Sequence, residues 1–297
     1  MKKNMILLAL VPVLIFTACK KEEEEMMEPQ DNLTLNFTNL ATSGTGEQYE
    51  GWIIVNGSPV STGTFTVDAN GNLSKSTFTV SESDLAAATD FVLSIEPLPD
   101  NDPAPSAIKI LGGAFSGNSA TITAAHPAAL GNDFTSVSGT YILATPTTAT
   151  MDDELSGVWF LELASGSPMV GLDLPSLPSG WKYEGWAVID GMPVTTGTFS
   201  MADMADDSAP FSGSDNSAPP FPGEDFVANA PSGKSFPTNL AGATIVISVE
   251  PYPDNSPDPF AFKPLLGTAP AGAADHKDYE LMDHVSASFP TGMVMRK

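Results

Sequence analysis

The chain has 297 residues, room for about two domains of ordinary size. It carries 36 Asp plus Glu against 12 Lys plus Arg, a formal net charge of −24, which argues against a nucleic-acid binder because affinity for a phosphate backbone comes from clustered Lys and Arg. Its 42% hydrophobic content is enough to build a core, and its single cysteine excludes an intrachain disulfide framework and any Cys-rich zinc site.

Lys2 and Lys3 precede an apolar run from Met5 to Phe16, interrupted only by Pro12. The run is shorter than the roughly 20 residues that span a bilayer, so residues 1–18 are expected to be a signal peptide. Phe16-Thr17-Ala18-Cys19 resembles the lipobox of bacterial lipoproteins, which implies cleavage before Cys19 and acylation of its amino group and thiol. Residues 19–32 then form an acidic tether, opening with Lys20, Lys21, Glu22, Glu23, Glu24 and Glu25. Behind a lipidated cysteine, this cluster is similar to the export signal that sends lipoproteins to the outer face of the outer membrane in some Gram-negative lineages. The expected location is the outer membrane, lipid-anchored and surface-exposed, with the membrane as a partner through the anchor.

An internal repeat decides the architecture. Tyr49-Glu50-Gly51-Trp52 returns 134 residues later as Tyr183-Glu184-Gly185-Trp186, and Pro59 to Phe65 returns at the same offset as Pro193 to Phe199. Ser94-Ile95-Glu96-Pro97 returns as Ser248-Val249-Glu250-Pro251, now 154 residues later, so the second copy holds 20 extra residues. They fall in an Asp-, Ser-, Pro- and Gly-rich stretch, 202–229, expected to be a surface loop. The two copies are expected to be domains at 33–150 and 153–297.

Within each copy the periodicity is that of strands. Trp52-Ile53-Ile54-Val55 is apolar on both faces, and Val60 to Val67 is β-branched. Between them Asn56-Gly57, matched by Asp190-Gly191, tolerates the positive φ of a tight hairpin turn. Ser81 and Asp84 resemble a capping pair ahead of a helical turn at Leu85. Phe91, Leu93 and Ile95 point inward while Val92, Ser94 and Glu96 face the other way, a pattern repeated by Ile245, Ile247 and Val249. The expected fold is mainly β, with two tandem β-sandwich-like domains, and the recurring Trp52 and Trp186 are expected in the core.

The set of Tyr49 and Trp52, a turn, Pro59 to Phe65, Leu85-Ala86-Ala87-Ala88-Thr89 and a strand ending in Glu96-Pro97 resembles the extracytoplasmic C-terminal domain of anti-sigma-K factors. The second copy carries the same set, with Leu240-Ala241-Gly242-Ala243-Thr244 as its counterpart segment. The resemblance covers Tyr49 to Gly113 and Tyr183 to Gly267, under half of the chain. In that family a cytoplasmic domain sequesters the sigma factor and one membrane helix leads to this outer domain. Neither is recognisable here, so the resemblance implies only the outer sensing or interaction module.

Motifs for catalysis are weak. Gly-x-Ser-x-Gly, His-Glu-x-x-His and Gly-x-Gly-x-x-Gly are absent, and His126, His276 and His284 are scattered in loop-like or terminal sequence. Ala228 to Ser235 fits a loose phosphate-loop pattern, but Pro231 interrupts it and Pro237 would break the helix that such a loop needs. Asp100, Asp102, Asp254 and Asp258 are candidate calcium ligands, set against the commoner role of Asp in Asx turns. Glu96 and Glu250 precede prolines at strand ends, where a carboxylate accepts backbone N–H bonds from the turn that follows. The expected function is a non-catalytic, cofactor-free, lipid-anchored envelope protein whose partner is another envelope protein or a glycan. The competing expectation is a surface adhesin or carbohydrate-binding lipoprotein in which Trp181, Tyr252 or Phe260 stacks on sugars.

Overall fold

A computed structural model describes residues 28–149, 154–254 and 256–297. The signal-peptide residues 1–18, Cys19 and the run Lys20, Lys21, Glu22, Glu23, Glu24 and Glu25 lie outside the described residues. The first copy contributes β1 (Gln30–Thr38), β2 (Glu47–Val55), β3 (Ser58–Phe65), β4 (Thr77–Ser81), α1 (Glu82–Ala87), β5 (Asp90–Pro97), β6 (Lys109–Ala114), β7 (Ser119–Ile122) and β8 (Ser138–Leu143). The second contributes β9 (Gly157–Trp159), β10 (Leu161–Glu162), β11 (Met169–Val170), β12 (Leu172–Asp173), β13 (Trp181–Ile189), β14 (Met192–Phe199), β15 (Gly223–Asp225), β16 (Thr244–Pro251), β17 (Leu265–Thr268), β18 (Tyr279–Asp283), α2 (Val285–Ser288) and β19 (Thr291–Arg296). The protein is mainly β and sandwich-like, with every strand pair antiparallel.

The front sheets of the two copies match strand for strand, in the orders β3-β2-β5-β6 and β14-β13-β16-β17. Their hairpins turn at Asn56-Gly57 and Asp190-Gly191, whose φ values of 51° and 79°, and 48° and 78°, are those a tight turn between right-twisted strands demands. Each carries a register shift at the same place, Gly51/Trp52 and Gly185/Trp186. A Cβ on Gly185 would lie 2.3 Å from the Thr196 hydroxyl and 2.5 Å from the Phe160 ring, so the strand passes too close to its neighbours for any side chain. Tyr49 Oη donates to Ala41 O at 2.9 Å and Tyr183 Oη to Pro175 O at 2.6 Å, the same tie in both copies. The Ser81 hydroxyl accepts from Asp84 N and caps α1.

The back sheets depart from the repeat. They run β4-β1-β19-β7 and β15-β9-β8-β18, with β12 beside β8 and a short β17–β18 pairing that joins front to back in the second sandwich. β19, at the C-terminus, lies between β1 and β7 of the first copy, from Leu33↔Arg296 to Thr38↔Thr291 on one side and Gly292↔Ile122 to Met295↔Ser119 on the other. β8, from the first copy, lies between β9 and β18 of the second. The copies have exchanged their last strands. The sheets therefore cross the boundary drawn at 33–150 and 153–297: each sandwich is completed by a strand encoded in the other copy. The physical reason is that a strand's alternation specifies which face is buried and leaves the partner sheet open.

A continuous core follows from the exchange, running from Leu33, Phe91 and Val294 in the first sandwich to Tyr141, Phe160 and Ile247 in the second. Trp52 and Trp186 are buried, each 2% exposed, but on the face of their sheets opposite this core and not within it as expected. The 202–229 stretch is not simply a surface loop, because β15 lies inside it, paired with β9, and Phe226 is fully buried. β15 takes the place that β4 holds in the first sandwich, so the extra residues fall on both sides of it. Its sequence Gly-Glu-Asp looks unlike a buried strand, yet Asp225 accepts from Trp159 Nε1 and Thr147 N, both at 2.8 Å, and Glu224 accepts from Phe211 N at 3.1 Å. Those bonds offset the cost of burying two carboxylates.

Candidate functional site

The front-sheet face that points away from the core is buried and polar in both copies. On it Trp52 Nε1 donates to Ser94 Oγ and Trp186 Nε1 to Ser248 Oγ, each at 2.8 Å. Ser94 in turn donates to Glu96, whose two oxygens accept from Ser106 N at 2.9 and 3.1 Å. Glu250 accepts from Phe260 N at 2.8 and 3.1 Å, the equivalent pair of bonds. The donors thus come from ten residues on, beyond the turn itself. One strand over, Ser61 donates to Glu50 and Thr195 to Glu184. Lys109 Nζ and Lys263 Nζ close the arrangement by donating to Ser106 O and Phe260 O, both at 2.6 Å.

In the second copy this face gathers three carboxylates. Oxygens of Glu184, Glu250 and Asp254 all lie within 4.8 Å of one another. β13 and β16 pair Glu184 with Ser248 and Lys182 with Glu250, which sets the two glutamates as diagonal neighbours on one face. Asp254 comes from the loop after β16, where its carboxylate accepts from Ser256 N at 2.8 Å. Glu184 is 4% exposed, and its Oε2 is buried with no hydrogen-bond donor. Burial pushes the Glu184 carboxyl up to about 8, and the charges of Glu250 and Asp254 add to the rise. Burial likewise raises Glu250, to about 7, against the opposing pull of its bonds from Ser248 and Phe260 N. In the first copy Glu50 is raised by burial too, with the charges of Glu96 and Asp100 adding to it.

Beside the cluster lies a groove of about 560 Å³. Thr42, Thr45 and Glu47 line it from the first sandwich, and Glu250, Asp254 and Phe260 from the second. Of the sequence-based calcium candidates, Asp254 joins the cluster and Asp258 lines the groove. Asp100 and Asp102 lie in the first copy and form Asx turns, accepting from Asp102 N at 2.9 Å and Ala104 N at 3.0 Å. Glu184 was not among those candidates, although it recurs at the repeat offset as the partner of Glu50.

The other singled-out residues are dispersed. His126 Nε2 lies 3.2 Å from Asp90, His276 Nδ1 lies 3.0 Å from Asp275, and His284 precedes α2. Lys234, from the phosphate-loop-like stretch, donates to Ile189 O at 2.6 Å and so braces the β13–β14 hairpin, with no helix following it. Trp181 is not an exposed platform: it is buried and stacked on Phe262, ring centroids 5.8 Å apart and 7° from parallel. Tyr252 is 48% exposed, with Lys182 Nζ 4.2 Å from its ring centre. No helix among the described residues is long and apolar enough to cross a membrane. In comparisons with known proteins, no family model, no curated protein and no solved structure matches the chain.

Proposed function

We propose that the chain is a non-catalytic, lipid-anchored protein of the outer membrane whose two sandwiches act as one surface-exposed interaction module. It corresponds in this reading to the outer part of an anti-sigma-K-type factor without the sigma-binding domain, and its partner is an envelope protein. The observation that carries the reading is the groove, which takes Glu47 from the first sandwich and Glu250, Asp254 and Phe260 from the second. Because the sandwiches have exchanged strands, that surface is held as a unit and presents both copies to one partner. Anchoring rests on the Cys19 lipobox, and surface exposure on Lys20 to Glu25.

A photoreactive residue at Thr45 or Asp258 in intact cells tests the reading. A discrete crosslinked species from either position, absent when the probe replaces Asn70 in the β3–β4 loop, supports it. No discrete crosslink from the groove, with anchoring intact, removes the interaction role. The adhesin reading keeps one favourable observation, exposed Tyr252 beside Lys182. Glycan-array binding lost on Tyr252→Ala would move the assignment there.

A further inference from the structure

We propose that Glu184, Glu250 and Asp254 form a calcium site where the second sandwich meets the groove. The site is independent of how the chain is anchored and of what partner it meets.

Two observations converge on it. The first is the approach of three carboxylates from two adjacent strands and a loop, with oxygens within 4.8 Å of one another. Among the described residues no other three acidic, histidine or cysteine side chains meet this way. The second is the orphaned Glu184 Oε2, a buried acceptor with no donor. Its surroundings are not poor in donors. Thr195 serves the other Glu184 oxygen, Phe260 N serves both oxygens of Glu250, and Ser256 N serves Asp254. These bonds hold the three carboxylates in place and none of them reaches Oε2, whose side chain faces the Asp254 carboxylate, an arrangement that a bound cation completes.

A protein cation does not fill that role. No ion pair among the described residues reaches these carboxylates, and Lys263, the cation facing Glu250, directs its ammonium to Phe260 O at 2.6 Å and Pro259 O at 3.4 Å. The ligand set is oxygen only, which suits a hard cation. Three carboxylates offer as many as six oxygens, and the groove gives water access to the remaining positions. Calcium accepts such an uneven, partly solvated shell, whereas magnesium demands near-ideal octahedral geometry. The first copy holds the counterparts Glu50, Glu96 and Asp100 but does not draw them to the same distance, so one calcium per chain is expected.

Calorimetric titration of EDTA-stripped protein with CaCl₂ tests the site, read beside thermal melting in EDTA and in calcium. One saturable site is expected, with a melting temperature that rises with calcium. Glu184→Gln should weaken binding at least about tenfold, because affinity follows the charge of the ligands. In EDTA that variant should melt no lower than the parent, since the amide oxygen still accepts from Thr195 while one of three crowded carboxyls is removed, which separates lost binding from lost folding. Asp254→Asn, on the loop, serves as the second variant. A parent that binds no calcium at roughly 1 mM, the weak end for extracellular sites, overturns the proposal in favour of carboxyls sharing protons. Unchanged binding by both variants overturns the assigned ligands, and magnesium binding as tight as calcium overturns the choice of ion.

Discussion

Removing β19 is the sharpest perturbation of the architecture. Deleting Thr291–Lys297 strips the first sandwich of the strand between β1 and β7, taking six register pairs on one side and four on the other. It also removes fully buried Val294 and the Arg296 clamp, whose guanidinium donates to Ala88 O at 3.0 Å and Gly117 O at 3.0 Å and lies over Phe115 at 4.4 Å. At about 1 kcal/mol net for each of roughly ten ladder hydrogen bonds and roughly 2 kcal/mol for the valine, the loss is on the order of 10–15 kcal/mol, comparable to the whole stability of a domain. Hydrogen exchange read by mass spectrometry localises the damage. Protection should vanish in β1 and β7, more than 150 residues upstream of the cut, while β8, β9, β13 and β16 keep theirs. The milder Val294→Ala should cost about 2 kcal/mol and show the same pattern weakly. Parent-like protection of β1 and β7 in the truncated chain would refute the exchange and return β19 to its own copy.

Trp186→Ala should destabilise the second sandwich by about 3–5 kcal/mol, and Trp52→Ala the first by as much, measured by thermal melting; a change under 1 kcal/mol would contradict their burial. Deleting all of 202–229 should unfold the second sandwich, since it removes β15, Phe226 and the Asp225 bonds to Trp159 and Thr147, whereas removing only exposed Ser217 and Ala218 should cost less than about 1 kcal/mol. Burial raises Asp206 to about 8 and Glu224 to about 7, so the folded chain holds these protons more tightly than the unfolded one. Their stabilising contribution is complete below about pH 4 and is lost as pH rises through 7 and 8, so the melting temperature in EDTA should fall between about pH 5 and 8.5, and Glu224→Gln should lessen the fall. A rise across that window would contradict the assignment.

What the sequence disclosed was local. Asn56-Gly57, the Ser81 cap and the facing of Phe91, Leu93 and Ile95 toward the core each depend on neighbours within a few residues and are found where the pattern puts them, although Val92, Ser94 and Glu96 on the other face are buried as well. The exchange of β8 and β19 was not legible, because either strand satisfies the same alternation in either sandwich. β15 stayed hidden because Glu224 and Asp225 read as solvated residues until Trp159, Thr147 and Phe211 are seen donating to them. The carboxylate cluster joins residues 66 and 70 positions apart, and only the pairing of β13 with β16 reveals that Glu184 belongs beside Glu250. Trp181 illustrates the opposite error, since an aromatic outside the repeated motif looks available until Phe262 is found stacked on it.

The mass of the N-terminal peptide of the protein isolated from membranes is the decisive test of the proposed lipid-anchored envelope module. A mature chain that begins at Cys19 and carries acyl groups on its amino nitrogen and thiol is expected. A chain that retains residues 1–18, or begins at an unmodified Cys19, would contradict it.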